Sequence, residues 1–137
     1  MLKDEQTLTA HLVEDDGRLD TLPRHFGRLM MKFEHTVYAF AGSLCPDYSG
    51  GYWEYYELSN GGFYMAPRNV APYQLVSENG FSGELSTDAM GIVACLYALS
   101  YLSFAKGVHA GIGEHFHHLR DFAATHAEAS LIFAAID

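Results

Sequence analysis

The chain has 137 residues, 49% hydrophobic and 18% charged, with Asp+Glu 17 against Lys+Arg 8 and a formal charge of -9. That length suits a single domain with its own core, and the apolar content excludes disorder over most of it. The acidic balance repels a phosphate backbone, so direct nucleic-acid binding is not expected. Cys45 and Cys95 form no paired motif, which fits a reduced, cytoplasmic protein without disulfides.

Residues 1–20 are polar and acidic, with Asp4, Glu5, Glu14, Asp15, Asp16 and Asp20. They make no secretory signal, and part of this segment is expected to be disordered. Residues 7–13 either add an edge strand or wander. Leu22, Phe26, Leu29, Phe33, Val37, Phe40 and Leu44 then recur at intervals of 4, 3, 4, 4, 3 and 4. That spacing predicts one face of a long helix, capped by Thr21, tolerating Pro23 in its first turn and stopped by Pro46. Gly27, Gly42 and Thr36–Val37 weaken it, with a break expected near His35. Arg24, Arg28 and Lys32 form a cationic stripe along it, with Arg18 nearby.

The middle of the chain reads as antiparallel strands. A Pro/Gly loop over 45–51 leads into the aromatic strand 52–58, and Asn60-Gly61-Gly62 turns it back into 63–66. Residues 73–77 and 81–85 flank a second turn at Asn79-Gly80. Ser86, Thr87 and Asp88 open a helix over 87–106, ended by Gly107. From Ala89 to Ala105 that helix carries no charge, which invites comparison with a membrane span, but the run is short for one and reads as a buried central helix. Ile112, Phe116, Leu119 and Phe122 mark another amphipathic helix, and Thr125–Glu128 has capping-box spacing for a last one. The class is α+β: one compact domain over 1–137, an antiparallel meander of three to four strands packed with about four helices.

Few side-chain patterns carry chemistry. Glu114, His115, His117 and His118, with His109 upstream and Asp121 downstream, read as a solvated polar face, because no zinc signature is present; the alternative is a ligand set for a metal-dependent hydrolase. Cys45 has no histidine placed beside it and reads as a small buried hydrophobe. No serine sits in a nucleophile elbow, and the glycine pairs fit no phosphate-binding loop. An acidic DNA mimic needs a dense carboxylate array, whereas these acids are scattered apart from Glu14-Asp15-Asp16. Tyr48, Tyr52, Trp53, Tyr55 and Tyr56 crowd nine positions, so either helices cover both faces of the strand or some rings are exposed as contact anchors. Asp47, Tyr48, Tyr52, Trp53 and Glu54 are the candidate partner-binding residues. The competing reading has Asp47 bonding its own turn while Tyr48 packs inward.

The run from Leu44 to Pro67, LCPDYSGGYWEYYELSNGGFYMAP, resembles the KlcA/ArdB antirestriction family, as do Arg24-His-Phe-Gly-Arg28, Arg120-Asp-Phe-Ala123 and the Ile132–Asp137 ending. The resemblance extends from about residue 18 to the last residue. It implies a compact fold peculiar to that family and a protein of plasmids or other mobile elements that relieves type I restriction in the bacterial host. The expected partner is the type I restriction–modification enzyme or a host factor controlling it. The expected mode is non-enzymatic binding, without cofactor, small-molecule substrate or membrane.

Overall fold

A computed structural model describes residues 7–69, 71–105 and 111–137 of the chain. The expected helix stop at Gly107 and the histidine at 109 lie outside the described residues.

The N-terminal segment supplies a short edge strand, β1 (Ala10–Leu12), and then a 3-10 turn at Asp15–Gly17. The long helix expected from residue 21 is instead two. Helix α1 (Arg18–Phe26) ends at Gly27, whose φ of 53° and ψ of -132° lie outside the helical region. A single 3-10 turn, Gly27–Leu29, then leads into α2 (Met30–Leu44). The break falls at Gly27 and not near His35, because a glycine takes a positive φ at no steric cost. Thr36, the other weak point, satisfies its hydroxyl within the helix by donating to Lys32 O at 2.6 Å. Thr21 does not cap the helix either. It lies inside α1, buried, and donates to Gly17 O at 2.7 Å. Pro23 is likewise interior rather than first-turn. Leu19, one turn before it, is 93% exposed, so the carbonyl that Pro23 cannot serve is on the solvent side.

Strands β2 (Trp53–Leu58) and β3 (Phe63–Pro67) form a hairpin through Gly61 at φ 94°, and β1 adds to the outer edge of β2. Strands β4 (Tyr73–Val76) and β5 (Ser82–Leu85) pair separately around Gly80, so the expected meander divides into sheets of three and two strands. Both stay antiparallel, and the α+β class holds.

Helix α3 (Thr87–Ser103) is the centre of the core and packs against α2, β3, α4 (Gly111–Ala123) and α5 (Ala129–Ile136). Most of its uncharged run is interior as expected, with Leu96 and Leu99 1% and 0% exposed, but the last turn is not: Tyr101 is 62% and Phe104 85% exposed. Among the described residues no helix is long and apolar enough to cross a membrane. Ser86 caps α3, accepting from Ala89 N at 3.1 Å. At Gly91 an added Cβ would stand 2.4 Å from Ala66 Cβ and 2.5 Å from Met65 O, so the missing side chain is what lets α3 lie on β3. One turn on, Cys95 Sγ takes the free backbone edge of β3, accepting from Met65 N at 3.4 Å and facing Met65 O at 3.6 Å.

The capping box expected at Thr125–Glu128 is absent. Thr125 donates to Phe122 O at 2.8 Å, and the Glu128 carboxylate reaches Ser86 N at 3.0 Å and the Ser86 hydroxyl. The acid that was to cap its own helix instead ties the α4–α5 connection to the start of α3. Beside it, Asp88 accepts from Tyr64 OH at 2.7 Å and meets His126 Nε2 at 2.8 Å.

Candidate functional site: an arginine-flanked tyrosine beside the 45–52 loop

The loop after α2 begins at Cys45, whose N–H still bonds Ala41 O, and it turns through the bond from Tyr48 N to Cys45 O at 3.0 Å. The backbone closes this turn, and the Asp47 carboxylate is left exposed. Gly50 and Gly51, at φ 96° and 123°, carry the chain over the end of the sheet, where a side chain would strain the backbone. Burial, followed by the Asp47 charge, pushes the Cys45 thiol up to about 11, so it is inert as a nucleophile.

The aromatic crowd divides between core and surface. Trp53 is 2% exposed, and its Nε1–H donates to Tyr48 OH at 3.0 Å. Its ring meets Tyr38 edge-on at 5.3 Å, so Trp53 is an internal anchor, correcting the expectation of a contact residue. Tyr48 is half-buried on Trp53 and Tyr73, with its hydroxyl as Trp53's acceptor. Tyr55 points the same way as Trp53, and both Tyr55 and Tyr38 donate to Glu34, at 3.3 and 3.0 Å. Burial first, then the Glu34 charge, raises both phenols above their ordinary value and keeps them as donors. On the opposite face Tyr56 stacks on Tyr64 at 4.8 Å, and Tyr64 on Phe122 at 5.8 Å. Helices therefore cover both faces of the hairpin.

Tyr52 is the exception, at 44% exposed. Its ring lies between two guanidinium groups, Arg18 and Arg68, each with its central carbon 4.5 Å from the ring centroid. Each such contact is worth about 0.5–1 kcal/mol at an exposed site. Arg68 is held from two sides: its N–H bonds Tyr52 O at 2.7 Å, and its Nε pairs with Glu54 at 2.6 Å. Arg18 also covers Tyr55 at 4.0 Å, and one of its terminal nitrogens is buried without a hydrogen-bond partner. Its position is therefore set by the two rings. Tyr52 and Glu54 thus share a surface with two cations, of which the sequence pattern named only Arg18, and that as a neighbour of the α1 stripe. Arg18 and Arg68 are far from Tyr52 in sequence and meet it only through the α1 and β3 packing.

The histidine cluster does not converge. His115 is 8% exposed and packs into the core against Phe26 at 4.7 Å and His25 at 5.1 Å, not on a solvated face. His118 lies over the Gly62 turn, whereas Glu114 and His117 are exposed on α4. Among the described residues no three His, Cys, Asp or Glu side chains form a metal-holding group.

The antirestriction protein family profile matches residues 46–137. The chain belongs to the antirestriction protein family. An Escherichia coli antirestriction protein KlcA is 50% identical, with 97% of each chain covered, and a second Escherichia coli KlcA is 44% identical over 95% of this chain and 94% of its own. A solved structure matches with TM-score 0.90 and 48% identity over all of both chains. It is described as showing, for KlcA and ArdB, a novel fold and antirestriction activity against type I DNA restriction systems in vivo but not in vitro. The resemblance read from Leu44–Pro67 is thereby confirmed.

Proposed function

We propose that this antirestriction protein relieves type I restriction of incoming DNA inside the bacterial cell by binding, without chemistry of its own. The observation that carries the reading is the full-length match, in sequence and in fold, to a protein with that activity in vivo. The same description gives no activity in vitro, which favours a host factor controlling the restriction enzyme, or a state of that enzyme found only in cells. The contact surface is the exposed pair Asp47 and Tyr52, with the part-buried Glu54 and Tyr48 beside them and Arg68 alongside. A half-exposed tyrosine clamped between two cations loses little conformational freedom on binding, which suits an anchor.

The test is the plating of unmodified phage on a type I restricting strain. Expression of the protein raises plating, and Asp47→Ala or Tyr52→Ala lowers it again while the melting temperature holds. Tyr48→Ala should lower both, because the Trp53 N–H loses its acceptor. Full protection by the Asp47 and Tyr52 variants would remove the loop from the contact surface. No rise in plating with the unaltered protein would remove the function.

A further inference from the structure

We propose that the outer face of α2 docks an acidic amphipathic protein helix, whose apolar anchor fills the groove between α2 and α3. The proposal rests on binding as the mode of action and concerns a surface separate from the Tyr52 cluster. Met31, His35 and Ala39 are exposed and recur every four residues along α2, with Met31 at 72%, while Leu19, 93% exposed, lies on α1 beyond the break at Gly27. A methionine exposed to that degree in line with an open aromatic groove marks a contact surface.

Charge sets the partner's chemistry. Arg24, Arg28 and Lys32 run beside the apolar row and are exposed. Arg24 is occupied by Glu57 at 2.6 Å and by the exposed Asp20 of α1 at 4.0 Å, but Arg28 and Lys32 make no ion pair among the described residues. The one acid of α2, Glu34, is turned inward to Tyr38 and Tyr55. In a chain with 17 acids, the exposed face of α2 therefore carries none. A complementary partner is acidic. Nucleic acid and anionic lipid answer that description less well, since a net charge of -9 opposes an extended polyanion and two unpaired cations do not offset it. A short acidic helix senses only the nearby charges, because screening confines the rest.

Shape points the same way. Helix α2 has 15 residues, roughly 22 Å at 1.5 Å per residue, a length that a partner helix of about four turns spans. At its far end lies a groove of about 360 Å³ lined by His35, Thr36, Ala39, Phe40, Ser43 and Tyr101. Its floor is aromatic: Phe40 stacks on Tyr97 at 5.4 Å, and Tyr101 stands edge-on to Phe40 at 6.0 Å while remaining 62% exposed.

Two variants test the surface in the restricting strain: Arg28→Glu with Lys32→Glu, and Met31→Glu alone. All three side chains are exposed, so the melting temperature should hold. Protection should fall about tenfold or more, the effect of losing one good anchor or its charge partners. A photo-crosslinking residue at Met31, and separately at Tyr101, should capture the same cellular protein, at a segment that is acidic and amphipathic. Crosslinks to DNA, to a second copy of the chain or to a basic segment would overturn the proposal. So would unchanged protection in both variants when the unaltered protein protects, which would leave the broader function standing. Absence of protection by the unaltered protein would remove both.

Discussion

His115 is a histidine that the fold holds neutral. Burial, then the neighbouring His25, lowers its pKa to about 4, and His118 adds repulsion. His25 is also lowered, chiefly by burial, although Glu57 opposes the shift. An unfolded imidazole titrates near 6.5, so between about 6.5 and 4 the unfolded chain binds protons that the native chain refuses. Stability is therefore fully present above about pH 6.5 and lost as pH falls towards 4. For His115 the loss is about 3 kcal/mol as an upper figure. Urea unfolding at pH 7.5 and pH 4.5 should show the lower midpoint at pH 4.5, and His115→Gln should narrow the difference. An equal difference in that variant would assign the acid sensitivity elsewhere, first to His25, the other imidazole that burial lowers, since Glu57 is held low by Arg24 and gains its proton only below this range. The buried histidine was illegible in the sequence. Glu114–His118 is a polar run, and the rings that enclose His115 come from Phe26 and His25, some 90 residues earlier.

Elements were legible where the chain announces them locally. Gly61 and Gly80 mark the two hairpin turns, and Ser86 marks the start of α3. The break at Gly27 was harder, because the hydrophobic spacing runs through it without interruption while only the backbone changes course. The two sheets were harder still, since pairing depends on what α3 covers. That helix yields two predictions. Leu99→Ala removes a fully buried side chain and should cost about 2–5 kcal/mol in urea unfolding. A cost under about 0.5 kcal/mol would mean that α3 does not form the core. Gly91→Ala should also destabilise, by about 1–3 kcal/mol, since the added methyl meets β3 backbone as well as Ala66. Helix propensity alone predicts the opposite sign, as Ala exceeds Gly by about 1 kcal/mol in a helix. The sign of the measured change therefore decides whether close approach governs the site.

At the scale of the molecule, acidity is a property of the whole surface more than of one array. Glu14, Asp15 and Asp16 form the densest acidic run, and all three are exposed beside the 3-10 turn. Replacing them together by Asn and Gln should leave protection from restriction largely intact and shift the melting temperature little. Loss of protection at constant stability would instead point to imitation of a phosphate backbone. The candidate surface was half legible at this scale. Asp47, Tyr52 and Glu54 stand together in the sequence, but the guanidinium groups around Tyr52 are brought there by α1 and by the residue following β3.

The thiol of Cys95 on the edge of β3 also limits how other chains can approach. A peptide that recognises a sheet by lengthening it needs a row of unclaimed backbone groups. On the β3 side, Met65 N and O already face sulfur, and α3 lies across them. Growth of the three-stranded sheet is left to β1, which spans only Ala10–Leu12. Any extended polypeptide joining this sheet must therefore enter beside the acidic N-terminal segment. Elsewhere on it, recognition proceeds through side chains.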